Sequence, residues 1–134
     1  MTDPQTPAPV ILVADDESHI LHIVSLKLRN AGFEVLTAED GEEALDIARR
    51  ERPALLITDY QMPELTGLEV CQQLLEDEAT AQIPAIMLTA RGSGLTEEDL
   101  ASTNIQGLIT KPFSPREILT RVQQLTGQAA EVDA

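Results

Sequence analysis

Acidic, hydroxyl and ammonium side chains stand directly at the ends of short apolar runs in this sequence. A pair of acids follows the first run, a single acid follows another, and a threonine and a lysine stand at the ends of two more. These residues are Asp15 and Asp16, Asp59, Thr89, and Lys111. Such a set suits phosphoryl transfer, because a carboxylate can serve as the nucleophile while charged and hydroxyl groups position and neutralise the transferred group.

The three carboxylates indicate a metal site, provided that the fold brings them together. Acids at short range repel each other, and one of them takes up a proton unless a cation compensates the charge. Mg²⁺ is the favoured cation, because it accepts one or two carboxylates and keeps waters and phosphate oxygens as further ligands. Asp15 and Asp16 form the pair suited to holding the metal, whereas Asp59 stands alone after its apolar run and is the best candidate nucleophile.

Lys111 and Thr89 predict an anion site beside the metal. The lysine ammonium is a compact charge that can pair with a carboxylate or a phosphoryl oxygen, and the threonine hydroxyl is a neutral donor. The sequence therefore predicts that a cation site and an anion site adjoin.

Five short apolar runs predict the strands that must position these side chains. Continuous apolar runs of this length are typical of strands buried on both faces. The predicted strands cover residues 10–14, 33–38, 54–58, 84–89 and 107–110.

Segments with helical spacing of apolar residues separate and follow these strands. In the first of them, Ile20, Ile23, Val24 and Leu28 fall on one broad face. The segment 96–104 has few apolar residues, so we expect the weakest and most mobile helix there. The predicted helices cover residues 20–31, 41–51, 67–77 and 96–104, and a fifth begins with Ser114 as its cap and Pro115 in its first turn.

Five strands alternating with five helices predict an α/β fold with a doubly wound parallel sheet of the flavodoxin-like type. The strand order common for this layout is 2-1-3-4-5, and ligands bind beyond the carboxyl ends of the strands. Neighbouring strands lie about 4.8 Å apart. Adjacent strands one and three would therefore bring Asp15 and Asp16 close to Asp59.

Composition limits the classes of protein to which this chain can belong. Its 134 residues match one domain, and a net charge of −14 argues against direct binding to nucleic acid or to anionic lipid. We expect a cytoplasmic location without membrane insertion, because neither a leader nor a long apolar segment is visible. We predict a disordered arm over residues 1–9, one domain over 10–126 and a flexible tail over 127–134, which could be a natural end or the start of a linker.

Four motifs in this order resemble those of response-regulator receiver domains of two-component signalling, especially stand-alone, chemotaxis-regulator-like receivers. Each motif alone is weak, but the set at the ends of strands one, three, four and five is specific, and the match covers about residues 10–125. The motifs are Asp15-Asp16-Glu17, Asp59 with Met62-Pro63 and Gly67 behind it, Thr89-Ala90, and Lys111-Pro112-Phe113.

The resemblance implies a role for each residue of the metal site. Asp59 would be the phosphoacceptor, and Asp16 and Asp59 would ligate Mg²⁺ directly. Asp15 would help largely through water, and the backbone carbonyl of Gln61 would complete the protein ligands.

The resemblance also implies how the phosphoryl group is held. Thr89, the Ala90 amide and Lys111 would contact its oxygens, and the Lys111–Pro112 peptide bond would be cis. Receivers usually carry Tyr or Phe at the position of Leu108, so Thr89 and Leu108 form the expected switch pair without the usual ring.

The function implied by the resemblance is a signalling switch and not an enzyme, apart from assisting its own phosphorylation and dephosphorylation. The phosphoryl group would come from a histidine kinase or a histidine phosphotransfer protein. It would alter the surface of helix four, strand five and helix five for an unknown output protein, in a monomer or weak dimer. Two alternatives stay open: an aspartyl-phosphate hydrolase, which commonly has a second acid where Gln61 stands, and a constitutive scaffold.

Overall fold

The computed structural model describes residues 8–127, so most of the predicted arm and tail lies outside the described residues. Within this range, strands and helices alternate five times, as the hydrophobic patterns predict. The elements are β1 (Val10–Ala14), α1 (Ser18–Asn30), β2 (Glu34–Ala38), α2 (Gly41–Glu51), β3 (Leu55–Asp59), α3 (Gly67–Leu75), β4 (Ala85–Thr89), α4 (Glu97–Ala101), β5 (Ile105–Thr110) and α5 (Pro115–Thr126).

The five strands form one parallel sheet in the order β2-β1-β3-β4-β5, which confirms the predicted topology. Every residue of β3 and β4 is buried, because helices cover both faces of the sheet. The pairing of β1 with β3 aligns Ala14 with Thr58. The residue after each of these two is an acid, so Asp15 and Asp59 meet at the carboxyl edge.

Side chains alternate along each strand between two separate cores. One core, packed with α1 and α5, contains Val13, Ile57 and Ile109. The other core, packed with α2 and α3, contains Leu12 and Met87. Because successive side chains point to opposite faces of a sheet, strand parity decides on which side each functional side chain emerges.

Side-chain caps fix the loops at the carboxyl edge of the sheet. Each helix from α2 to α5 is directly preceded by a residue whose side-chain oxygen accepts a hydrogen bond from the backbone N–H three residues later. These contacts satisfy amides that the helix itself leaves unpaired. The capping residues are Asp40, Thr66, Thr96 and Ser114.

Element boundaries differ from the predicted ones mainly in β5 and α4. Strand β5 begins at Ile105 instead of residue 107, and the register with β4 shifts between Ala85 and Ile86. Polar Gln106 interrupts the apolar pattern at this shift, so the sequence underestimates the strand. Helix α4 is limited to Glu97–Ala101, and none of its residues is buried, as expected of the weakest helix.

Candidate functional site

Three carboxylates meet at the carboxyl edge of the sheet. Asp15 and Asp16 directly follow β1, and Asp59 is the last residue of β3. One oxygen from each residue lies within 4.8 Å of the oxygens of the other two. Oxygens that share one Mg²⁺ at about 2.1 Å are at most about 4.2 Å apart. Small side-chain rotations would therefore suffice to place these oxygens around one ion.

Burial distinguishes the three acids. Asp15 is fully buried and Asp59 is 7% exposed, whereas Asp16 is exposed to solvent. The Asp15 carboxylate accepts a hydrogen bond of 2.9 Å from the backbone N–H of Glu17, which fixes its orientation. Two acids thus form the floor of the site and the third lies at its opening.

Lys111 places its ammonium among the carboxylates. Its Nζ lies 3.4 Å from Asp15 Oδ2, 3.4 Å from Asp59 Oδ1 and 3.3 Å from Glu17 Oε1. Its backbone N–H donates to the carbonyl of Thr89 at 2.8 Å, which ties the end of β5 to that of β4. The Lys111–Pro112 bond is cis, as the resemblance implies. Glu17 was not predicted as a partner of this lysine, and its only sequence signal is its place after the acid pair.

The electrostatics of the site favour a cation. Burial, reinforced by the charge of Asp15, raises the pKa of Asp59 to about 6, although Lys111 opposes the shift. Burial also raises the pKa of Asp15, against the stabilising contacts from Glu17 N–H and Lys111. Burial alone would lower the pKa of Lys111, but Asp15 and Asp59 outweigh it and raise that pKa. A single ammonium therefore leaves the buried acids incompletely compensated.

The backbone around Asp59 is held by a close approach of α3. The Gly67 N–H donates to the Tyr60 carbonyl at 2.8 Å, and the Tyr60 N–H donates to Leu88 at 2.9 Å. A Cβ atom on Gly67 would collide with the backbone carbonyl oxygen of Asp59. Only glycine lets the start of α3 pack directly against the end of β3.

Thr89 and Leu108 lie on the other face of the sheet from the Asp59 side chain. Thr89 shares strand parity with Met87, which belongs to the core under α2 and α3, and Leu108 packs against the same core. Thr89 is 5% exposed, and its hydroxyl donates to the Ala90 carbonyl at 3.2 Å. Both Thr89 and Leu108 line an open depression of about 450 Å³, together with the turn at residues 90–95 and Thr110. The predicted site residues thus form two groups: the acids with Lys111, and Thr89 with Leu108.

Two further predicted residues flank these groups. Gln61 is exposed in the loop after β3, two residues beyond Asp59, and Ala90 is exposed directly after β4. Both stand at the carboxyl edge of the sheet, where ligands of doubly wound folds bind.

An apolar groove that the sequence did not predict adjoins Lys111. A cavity of about 390 Å³ lies between α1 and the start of α5, and a second one of about 400 Å³ shares Ile23 and Pro115 with it. Ile23 is 42% and Leu26 is 50% exposed. Helical periodicity placed Ile23 on the covered face of α1, but its side chain is left partly exposed beside the start of α5. We call Ile20, Ile23, Leu26, Phe113 and Pro115 the α1–α5 groove.

No helix in residues 8–127 combines the length and the apolar character needed to cross a membrane. Localisation in the cytoplasm stays a prediction.

Comparison with known sequences matches nearly the whole described chain to one protein family. Residues 11–123 match the family model of the response regulator receiver domain. The alkaline phosphatase synthesis transcriptional regulatory protein PhoP of Bacillus subtilis is 40% identical over 115 residues, which are 86% of this chain and 47% of PhoP. The chain spans about half the length of the curated relatives it matches.

Solved structures agree with this assignment. The chemotaxis response regulator CheY4 of Vibrio cholerae superimposes with a TM-score of 0.81 at 34% identity, covering 90% of this chain and 99% of CheY4. A receiver domain from a sensor histidine kinase of Pseudomonas aeruginosa, with a magnesium ion coordinated in its active site cleft, superimposes with a TM-score of 0.80 at 25% identity. That comparison covers 90% of this chain and 99% of the other.

Proposed function

The chain belongs to the response regulator receiver domains of two-component systems, and we propose that it is a switch that accepts one phosphoryl group on Asp59. The observation that carries this proposal is the meeting of three carboxylates and one ammonium at a single edge of the sheet. The family assignment supports phosphorylation-dependent switching as the general function. The roles of individual residues and the identity of the partners are part of the proposal.

The donor set at the edge fits Mg²⁺. Clustered hard oxygen ligands with incompletely compensated charge are the environment this ion prefers. Asp16 and Asp59 would bind it directly, Asp15 largely through water, and the Gln61 backbone carbonyl would add a protein ligand. When bound, Mg²⁺ supplies positive charge that neutralises the acids and the incoming phosphoryl oxygens.

Asp59 is the nucleophile in this proposal. One of its carboxylate oxygens attacks phosphorus, a new P–O bond forms, and the bond between phosphorus and the donor breaks, with its electron pair going to the donor. The Lys111 ammonium, 3.4 Å from Asp59 Oδ1, is placed to balance charge on a phosphoryl oxygen. The Thr89 hydroxyl and the Ala90 amide would bind further phosphoryl oxygens.

The phosphodonor would be a histidine kinase or a histidine phosphotransfer protein that docks on the α1–α5 groove. By strand parity, the groove opens on the same face of the sheet as Asp15, Asp59 and Lys111. Lys27 and Arg116 border it, although the whole chain carries a net charge of −14. Exposed apolar patches with a polar rim are typical of protein interfaces. This one suits a donor that presents an apolar surface with acidic neighbours.

The output surface would be formed by α4, β5 and α5. Movement of Thr89 toward a phosphoryl oxygen would change the depression that it shares with Leu108, next to a helix that buries none of its residues. Leu108 is half-buried and lacks the ring and the hydroxyl usual at this position, so the response would depend on repacking of an aliphatic side chain. The output protein, a monomeric or weakly dimeric state and stand-alone action stay predictions, and direct binding to nucleic acid is not proposed.

Intact mass after treatment with Mg²⁺ and acetyl phosphate tests the function. The wild type should gain one phosphoryl group, Asp59→Ala should gain none, and Asp46→Ala, which removes an exposed acid on α2, should behave as wild type. No adduct, together with no binding of beryllofluoride, would favour the constitutive scaffold. Repeated turnover of phosphate esters would favour the hydrolase.

A further inference from the structure

The Lys111 ammonium lies between the carboxylates of Asp15, Glu17 and Asp59 and makes no short contact with any of them. The distances from Nζ are 3.3 Å to Glu17 and 3.4 Å to each of Asp15 and Asp59. A charge-assisted N–H···O bond is typically about 2.7–2.9 Å long. The ammonium is therefore held between its partners instead of closing on one of them.

Glu17 differs from the other two acids in its position. The side chains of Asp15 and Asp59 are 0% and 10% exposed, whereas that of Glu17 is 50% exposed. Glu17 is the N-cap residue of α1, but its side chain makes no capping hydrogen bond. Its carboxylate is thus available to Lys111 and attracts the ammonium from the solvent side.

We propose that Glu17 is a positioning residue that draws the Lys111 ammonium toward the mouth of the site, away from Asp15 and Asp59. Two consequences follow, and both rest on the proposed function of this site. The oxygens of Asp15 and Asp59 remain more available to Mg²⁺. Once a phosphoryl group is present, Glu17 competes with its oxygens for the same ammonium.

The partial exposure of Glu17 limits the size of the effect. Exposed ion pairs change equilibria by about two- to fivefold, because solvent screens the charges. Glu17→Gln keeps the shape of the side chain and its amide oxygen but removes the charge. Glu64→Gln is the matched control, because it removes the same charge from an exposed residue in the loop after β3.

Calorimetric titration with Mg²⁺ alone is the first measurement. Without Glu17 the ammonium would move closer to Asp15 and Asp59, so Glu17→Gln should weaken Mg²⁺ binding by about two- to fivefold. At saturating Mg²⁺, the same variant should bind beryllofluoride more tightly by a similar factor. Glu64→Gln should change both constants by less than half of that effect.

A double-mutant cycle with Lys111→Met separates positioning from simple loss of charge. If Glu17 acts through Lys111, the effect of Glu17→Gln on Mg²⁺ affinity largely disappears when Lys111 is methionine. An effect of equal size in both backgrounds, or equal effects of Glu17→Gln and Glu64→Gln, would overturn the proposal. The Mg²⁺ cycle uses no phosphoryl group, so a wild type that cannot be phosphorylated would refute the proposed function while the cycle still decides the role of Glu17.

Discussion

The buried carboxyl group of Asp59 makes the chemistry of the site dependent on charge compensation at the scale of single residues. Burial and the neighbouring Asp15 raise its pKa to about 6 from an ordinary 3.8. The group is the proposed nucleophile and must be ionised to react. Lys111 lowers this pKa and so favours the ionised, reactive form, and a bound cation would act in the same direction.

The raised pKa of Asp59 predicts a pH-dependent cost to stability. Between pH 3.8 and about 6 this carboxyl is protonated in the folded chain and ionised in the unfolded chain, so the folded state binds more protons. Stability contributed by this group therefore falls as the pH rises through that window. Without Mg²⁺ at pH 7, Asp59→Asn should raise the free energy of unfolding by roughly 1–3 kcal/mol, because it removes the ionised form.

Urea unfolding in EDTA at pH 7 and at pH 4 measures this effect. The increase in the free energy of unfolding caused by Asp59→Asn should be smaller at pH 4, because the wild-type carboxyl is protonated there in the folded state. Asp46→Asn, at an exposed position of α2, should change stability little at either pH. An equal gain from Asp59→Asn at both pH values would contradict the explanation.

At the scale of elements, the packing of α3 against β3 determines the position of Asp59. The capped start of α3 lies against the end of the strand, and Gly67 is the point of contact. The loop between them holds Gln61, the proposed carbonyl ligand. A shift of α3 would therefore move both the nucleophile and part of the metal site.

Gly67→Ala tests this contact. The new Cβ meets a backbone carbonyl that cannot rotate away, so the variant should be less stable by about 1–3 kcal/mol and should accept the phosphoryl group more slowly. Gly107→Ala is the control, since its Cβ would meet only the flexible end of the Arg121 side chain. Chemical unfolding and intact mass against time give the two readouts. If the two variants had equal stability and equal rates of phosphorylation, the Gly67 contact would determine neither property.

The sequence predicted which segments are helices and which are strands more accurately than it predicted where these elements begin and end. Helix α2 covers the predicted range, because Asp40 caps its start and a basic last turn precedes its end. Strand β5 was underestimated at Gln106, where a register shift accommodates a polar residue inside a strand. Such a shift depends on pairing with β4, which local periodicity does not contain.

The whole molecule carries a net charge of −14, and this charge affects how ions act on it. Self-repulsion destabilises a compact acidic chain, so any salt is expected to stabilise it somewhat by screening. Mg²⁺ should do more than screen, because its proposed site is the acid cluster that forms only when β1 and β3 pair.

Binding linkage gives the expected size of the Mg²⁺ effect. An ion that binds only the folded chain stabilises it by about 2.7 kcal/mol at one hundred times its dissociation constant. At that Mg²⁺ concentration, the free energy of unfolding of the wild type, measured with urea, should exceed its value in NaCl of equal ionic strength by about this amount. Asp16→Asn should lose most of the difference, and a full difference in that variant would exclude Asp16 from the metal site.

The sequence by itself determined the alternation of strands and helices, the parallel sheet and the placement of Asp15, Asp16, Asp59, Thr89 and Lys111 at strand ends. These features depend on local hydrophobic period and on the residue that follows each apolar run. Only the tertiary structure decided that Glu17 contacts Lys111, since the two residues are 94 positions apart in the chain. It also decided that Ile23 is left partly exposed in the α1–α5 groove, because the coverage of a helical face depends on where the helix packed against it begins.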